Sequence, residues 1–367
     1  MLFRSIIGGT GILSRAIAVQ AVAAGHEVTI LTNGQGTLPS PTGIKQHLIV
    51  DRNHHQALHQ VLKETEIESW DLVVDAICYN ADQAGSLLKS ILNKSKHTIV
   101  ISTAIVYKPT LTGFLTPDSE IASESELGKY GREKIQMEAV WMNASKEHQH
   151  PVTILRPPHI IGEGSLLGVI PLHNRDPFLL RRLQRQQPLF LADGGRQLMQ
   201  VVFNQDIAKV IFAACGKSAT FGKIYNCANP EIITGRQYFE TIANLLSLPL
   251  QIKNVPSEVI WESDWGWAVT TIARLLCMDS LYQDIGYLPS TPLEIAIQET
   301  LSYSVKYQLL PDETTIDPAA SYLEAISAEI DRNHTNLKSL LSDYANYRLK
   351  SPVDRRMNAD PPSYHFR

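Results

Sequence analysis

The sequence predicts an α/β fold: a doubly wound parallel sheet followed by a smaller C-terminal lobe. Three observations carry this reading. Short β-rich runs alternate with longer helical ones over the first 110 residues, which calls for right-handed βαβ crossovers and a sheet covered on both faces. The stretches Asp71-Leu-Val-Val-Asp75 and Thr98-Ile-Val-Ile-Ser102 are nearly continuous in apolar or β-branched residues, as strands buried on both faces are. A glycine-rich loop, Gly8-Gly9-Thr10-Gly11, separates the first strand from the first helix.

Each element follows in order. Leu2–Ile7 reads as the first strand, and Ile12–Ala24 as a helix with apolar residues at helical spacing, stopped by Gly25. Glu27–Leu31 and His47–Val50 are the second and third strands. His55–Glu64 is a helix, Leu72–Ile77 a strand, Ala81–Leu92 a helix and Thr98–Ser102 the fifth strand. A long helix from about Tyr130 to Ala144 leads to a strand at Val152–Leu155. Beyond Arg156 the alternation fails, although Ile224-Tyr-Asn-Cys-Ala228 reads as a strand returning to the sheet. The expected organisation is therefore a sheet domain over 1–165 with a returning strand near 223–230, a discontinuous lobe over 166–305, and a helical extension with a tail over 306–367. Ala319–Tyr347 carries Leu323, Ile326, Ile330, Leu337, Leu340 and Leu341 near helical periodicity, an apolar stripe that must be covered by the lobe or by a neighbouring subunit.

At 367 residues the chain is long for one domain. It is 44% hydrophobic and 19% charged, an ordinary globular composition. Lys and Arg number 33 against 37 Asp and Glu, a net charge of −4. That leaves no basic excess for a nucleic acid or an anionic membrane. Cys78, Cys215, Cys227 and Cys277 lie far apart in apolar runs, without a Cys-x-x-Cys pair, so buried free thiols are expected rather than disulfides or a metal site. No apolar stretch approaches the ~20 residues that span a bilayer. The chain enters a strand almost at once, with Arg4 alone as a candidate signal-peptide basic region, and a cytoplasmic protein is expected.

The glycine loop opens a helix directly after a strand, the context that gives such a loop meaning. Gly8 permits a tight turn and Gly11 the approach of a pyrophosphate, while Thr10, Ile12 and Leu13 lie around the helix N-terminus with its free amides and positive dipole. Ser14 stands where a third glycine is usual and is small enough for helix–strand packing. At the end of the second strand, Thr32-Asn33 offers no carboxylate to a ribose 2′-hydroxyl. The site is therefore expected to take NADP or NAD, with NADP favoured. Arg15 and Arg52 are candidate phosphate partners, and Asp51-Arg52 after the third strand is placed to meet an adenine.

Tyr130-Gly-Arg-Glu-Lys134 places a phenol and an ammonium four apart, on one face of a helix. A neighbouring cation favours the phenolate and suits the tyrosine to acid/base work. The lysine is also within reach of a nicotinamide ribose, and Ser102-Thr103 brings hydroxyls to the carboxyl end of the fifth strand.

In the order of these features the chain resembles the extended short-chain dehydrogenase/reductases, the NAD-dependent epimerase/dehydratase-like group, over about residues 2–305. The resemblance rests on Gly8-Gly9-Thr10-Gly11, Asp71–Asp75, Val100–Tyr107, Tyr130–Lys134 and Leu155-Arg-Pro-Pro-His-Ile-Ile-Gly162, with later landmarks at Val201–Asp206 and Asp284–Pro289. It implies a Rossmann fold in which Tyr130 is the acid/base, Lys134 its partner and Thr103 the catalytic hydroxyl. Ala76 would lie along the cofactor, and Pro157, His159 and Ile160 beside the nicotinamide. His159 either touches substrate or is a packed or solvent-facing histidine. Family dehydratases follow the threonine with Asp-Glu, whereas here Ala104-Ile105 follows, which argues against dehydration. Reduction, oxidation and epimerisation through a transient keto intermediate stay open. A non-catalytic relative, like the chloroplast stem-loop RNA-binding proteins, is the alternative. The family also implies a homodimer built on the Tyr-x-x-x-Lys helix, to which Ile135, Val140 and Trp141 could contribute unless they pack on the sheet. In the lobe, Arg181, Arg182, Arg185 and Arg196 are either phosphate binders or a solvated face. Trp261, Trp265 and Trp267 read as lobe core or pocket lining.

Overall fold

The computed structural model describes residues 3–36, 38–65, 67–110, 113–169, 171–263, 271–332 and 336–350. From the N-terminus it runs β1 (Phe3–Ile7), α1 (Ile12–Ala23), β2 (Glu27–Thr32), β3 (Gln46–Ile49), α2 (His55–Glu64), β4 (Leu72–Asp75), α3 (Ala81–Ile91), β5 (Thr98–Ile101), α4 (Glu124–His148) and β6 (Val152–Arg156). These elements fall where the periodicity places them, except that α4 starts well ahead of Tyr130.

The chain continues through β7 (His159–Ile161), α5 (Leu179–Gln184), β8 (Leu189–Ala192), β9 (Leu198–Met199), β10 (Val201–Phe203), α6 (Asn204–Ala214) and β11 (Lys223–Asn226). Next come β12 (Ile233–Thr234), α7 (Gly235–Leu245), β13 (Ile252–Val255), α8 (Ser257–Glu262), α9 (Asp279–Ile285), α10 (Leu293–Lys306), α11 (Ala320–Arg332) and α12 (Leu337–Lys350).

The central sheet has seven strands in the order β3-β2-β1-β4-β5-β6-β11, and every pairing is parallel. The returning strand is β11, whose Ile224 pairs with Ile154. Alternating strand residues serve the two faces. Ile6, Ile30, Val74 and Ile99 pack with Ile17, Ala21, Ile207 and Ile211 of α1 and α6. Ile7, Leu31, Val73 and Val100 pack with Leu58, Leu87, Met137 and Trp141 of α2, α3 and α4. Strand order reverses between β1 and β4, and the crevice above such a reversal is where these folds bind ligands.

The lobe contains three two-stranded sheets, β7 with β10, β8 with β13 and β9 with β12, around Leu179, Leu191, Phe203, Tyr238, Phe239 and Ile297. The stretch 319–347, expected to be helical, contains α11 and α12. Their Leu323, Ile326, Leu337, Leu341 and Tyr344 cover Leu172, Phe190, Val255 and Ile260 of the lobe, so the apolar stripe is covered within the chain. Arg181 and Arg182 of α5 are buried and hold this extension, whereas Arg185 and Arg196 are exposed, as a solvated face would be. Arg182, 2% exposed, pairs with Asp176 at 3.0 Å and Asp317 at 2.6 Å. Arg181 donates to the carbonyls of Pro311, Asp312 and Thr315, Arg185 pairs with Glu313, and Arg196 caps the Asp193 carbonyl. Trp261 is exposed, its indole N–H on Thr271, so it is not lobe core. Trp265, Trp267 and the tail lie outside the described residues. Cys78 and Cys227 are buried free thiols as expected, whereas Cys215 and Cys277 are only half-buried. No helix among the described residues is long and apolar enough to cross a membrane.

Candidate active site

The glycine loop needs its glycines for different reasons. Gly8 and Gly9 have φ of +112° and +133°, a region that side chains resist. A Cβ on Gly9 would stand 2.7 Å from Ile30 Cβ. Gly9, which the sequence reading did not single out, is thus the point of closest approach between loop and sheet. Gly11 is extended and forms the N-cap of α1. Its N–H donates to Ser14 Oγ at 3.2 Å, and that hydroxyl donates back to Gly11 O at 3.4 Å. Ser14 therefore does more than fit: it closes the turn, and the amides of the first helical turn stay without intrahelical partners. A pyrophosphate fits this cradle, which any side chain at Gly8 or Gly9 would disrupt.

The two arginines read as phosphate partners are engaged elsewhere. Arg52 is 6% exposed and grips Asp75 with two bonds of 2.7 and 3.0 Å. Burial opposes its charge, but Asp75 more than offsets this and raises its pKa. It joins the end of β3 to the end of β4 and to the Gln83 carbonyl of α3, a structural ion pair and not a phosphate ligand. Arg15 donates to Pro39 O at 3.1 Å and Glu163 at 3.2 Å and lies over the Tyr303 ring. Asp51 stays exposed, its carboxylate taking the Asn53 N–H at 2.9 Å. Ala76 sits past the end of β4, its N–H on Ile7 O, at the strand reversal. Thr32 ends β2 with its Oγ1 accepting Gly34 N–H and 2.8 Å from His47 Nε2; Asn33 follows, taking the Gln35 N–H.

Lys134 is 3% exposed and reaches from α4 across the carboxyl ends of β4 and β5. Its Nζ donates to Cys78 O at 2.7 Å and Ile101 O at 2.9 Å. It lies 5.0 Å from the Tyr79 ring centroid and 5.8 Å from that of Tyr130. Two of the three ammonium donors are thereby fixed by backbone, with the charge between two phenols. Thr103 lies just beyond β5 and caps a short turn, its Oγ1 accepting Ile105 N–H at 3.3 Å. That turn buries Ala104 and Val106, and the residues after the threonine, Ala104-Ile105, carry no carboxylate.

Beneath these groups runs a network that the sequence reading missed. Glu138, one turn beyond Lys134, accepts Ser102 Oγ at 2.5 Å and takes Arg156 at 2.9 and 2.6 Å. Arg156 lies 4.8 Å from the Tyr107 ring, and Tyr107 donates to Asn226 Oδ1 at 2.6 Å. Neighbouring residues of extended chain point to opposite sides, so Ser102 anchors the segment whose next residue, Thr103, is turned the other way. An acid at Lys134 + 4 and an arginine closing β6 were visible signals, but their pairing was not.

Pro157 holds the turn after Thr103 through its carbonyl, which accepts Ala104 N–H at 2.8 Å. His159 and Ile160 lie on β7, paired with Val201 and Val202. Burial, with Arg175 nearby, holds the His159 ring neutral by lowering its pKa to about 3. The two late landmarks meet at Asp206, which accepts the Tyr287 hydroxyl at 3.3 Å and, just past the second landmark, Ser290 N–H at 3.1 Å and Thr291 N–H at 2.8 Å. No group of three His, Cys, Asp or Glu placed to hold a metal occurs among the described residues.

Fold and site together are a doubly wound parallel sheet with a glycine loop at its strand reversal and a Tyr–Lys pair at its sheet edge. Residues 5–228 match the model of the NAD dependent epimerase/dehydratase family, and the chain belongs to it. It is 24% identical over 267 residues to UDP-D-apiose/UDP-D-xylose synthase of rice, spanning 64% of this chain and 66% of that one. Identity is also 24% over 280 residues to UDP-N-acetyl-alpha-D-glucosaminuronate decarboxylase of Bacillus cytotoxicus, 70% of this chain and 84% of that one. The fold matches that of dTDP-glucose 4,6-dehydratase from Bacillus anthracis in complex with NAD, with a TM-score of 0.66, 15% identity and coverage of 84% and 98%.

Proposed function

We propose that this protein is a nicotinamide-dinucleotide-dependent oxidoreductase acting on a carbinol or carbonyl carbon of a nucleotide-linked sugar. The observation that carries the reading is Lys134, buried across the ends of β4 and β5 between the rings of Tyr79 and Tyr130. Gly8, Thr10, Gly11, Ile12 and Leu13 would cradle the pyrophosphate, with Thr32 and Asn33 at the adenosine ribose and Lys134 at the nicotinamide ribose. Such a cofactor, when bound, supplies the redox partner. The protein's part is proton movement and orientation. Tyr130 gives its phenolic proton to a carbonyl oxygen or takes one from an alcohol, Lys134 stabilises the phenolate, and Thr103 holds the same oxygen in line. His159, kept neutral, lines the wall beyond Pro157 without adding charge.

The nucleotide-linked sugar is supported by the names of the relatives, and the absence of a carboxylate after Thr103 weighs against dehydration. Epimerisation through a transient keto sugar uses the same residues and is the second reading. A cytoplasmic homodimer is proposed with it. The three α4 residues considered for its interface do not speak for one: Trp141 is fully buried, Val140 packs beside it under the sheet, and Ile135 packs with the Tyr107–Leu276 cluster.

The test is incubation of the full chain with NAD or NADP and a panel of UDP- and dTDP-linked hexoses and hexuronates, followed at 340 nm and by proton NMR of the sugar. Conversion of one of them is expected. Tight dinucleotide binding with no conversion of any would contradict the substrate class, and no dinucleotide binding at all would contradict the reading entirely.

A further inference from the structure

The ribose end of the cleft has an unusual arrangement of charge. Dinucleotide folds read the 2′-position at the end of the second strand, with an acid for a hydroxyl or an arginine for a phosphate. Here that position is Thr32, 4% exposed. Arg15 and Arg52, the arginines nearest in sequence, are turned to Glu163 and Asp75. What touches Thr32 instead is an imidazole from the neighbouring strand. β2 and β3 pair with Ile30 beside His47 and Thr32 beside Ile49. Thr32 and His47 are therefore a diagonal pair on the sheet face that carries Ile30, the residue lying against Gly9. Thr32 Oγ1 is 2.8 Å from His47 Nε2 and accepts Gly34 N–H at 3.2 Å. Ser40 Oγ lies 3.5 Å from the other ring nitrogen, and the His47 residue is itself exposed.

With the ring proton on Nε2, Thr32 Oγ1 accepts from both the Gly34 N–H and the imidazole and has its own proton left to donate. Facing a 2′-phosphate, the pair offers that hydroxyl together with an imidazole able to carry positive charge. Facing a 2′-hydroxyl, it offers one neutral hydrogen bond. The nearby acid, Asp51, is turned onto Asn53.

We propose that His47, acting with Thr32, is the specificity-determining residue at the cofactor's 2′-position and favours NADP(H) over NAD(H). The proposal rests on the reading that a dinucleotide occupies the glycine loop. It assigns to an imidazole on the third strand the task that an arginine usually performs at the end of the second.

The test is isothermal titration of the full chain with NADP and with NAD, each at one pH and ionic strength, in the wild type and in His47→Gln. Glutamine keeps a donor toward Thr32 but cannot take up a proton, and the position is exposed, so folding should be retained. We expect NADP to weaken by about 5–30-fold and NAD by less than about 3-fold, the scale of one charge-assisted contact. Thr32→Asp, which places a carboxylate at the ribose, should reverse the preference toward NAD; circular dichroism checks its fold. The proposal is overturned if both dinucleotides bind and His47→Gln leaves their ratio within 2-fold, or if the wild type binds NAD tighter than NADP. Failure of the folded wild type to bind either one would instead overturn the dinucleotide reading itself.

Discussion

Mild acid should destabilise this protein through two histidines at the end of the sheet opposite the cleft. His97, immediately before β5, is fully buried. Its Nδ1 accepts Gly216 N–H at 3.1 Å, so its proton sits on Nε2, which donates to Thr153 Oγ1 at 2.9 Å; that hydroxyl donates onward to Thr220 O at 2.7 Å. A second proton would set N–H against N–H in a buried site. Burial, with His150 nearby, lowers the His97 pKa to about 4 from 6.5. His150 is bonded to Thr98 and stacked on Trp141, and burial lowers it to about 4 as well. Because the folded state binds fewer protons than the unfolded one, this stability is complete above 6.5 and is lost as pH falls toward 4. Between pH 7 and 4.5, His97 accounts for a loss of roughly 2 kcal/mol, and the less enclosed His150 for roughly 1 more, against a total of about 5–15 for a typical domain. Urea unfolding followed by tryptophan fluorescence at pH 7, 5.5 and 4.5 measures it. His97→Gln should be less stable at pH 7 and lose about 2 kcal/mol less on acidification. Equal pH dependence in wild type and variant would refute the reasoning.

Gly9→Ala should destabilise and weaken dinucleotide binding together by pushing the loop off Ile30, a cost of about 1–3 kcal/mol; thermal melts and titration with NADP measure both. Glu138→Ala leaves Arg156 buried without its partner and should cost about 3–5 kcal/mol by urea unfolding. Glu138→Gln keeps the shape and should cost less, while lowering turnover because the Thr103 segment loses its anchor. Light scattering should give the mass of two chains, and the mass of one would contradict the proposed dimer.

The parts of this molecule legible in the sequence are those set by neighbouring residues. Alternating apolar runs placed β1 to β6 within a residue or two because each strand's burial is written in its own side chains. The glycine loop was legible because turn geometry depends on local backbone freedom. Charges were not. Arg52, Glu138, Arg156 and Arg182 look like surface residues in the sequence, yet each is buried against a partner supplied by another element. Nothing local marks such pairs. The break between α11 and α12 was likewise hidden, since apolar spacing persists on both sides of it, in Ile330 and Leu337. The Thr32–His47 contact depended on strand register, which periodicity does not specify.

Tyr130→Phe tests the account's central claim most directly. The substitution removes one hydroxyl and keeps the ring beside Lys134, the helix and the glycine loop. Turnover and dinucleotide affinity are measured on the same preparation, with the sugar nucleotide that the panel identifies. Turnover should fall by roughly 10²–10⁴-fold, the range for losing a positioned acid/base, with dinucleotide affinity within a few-fold of wild type. Turnover that stays at the wild-type level would contradict the assignment of Tyr130 as the proton donor.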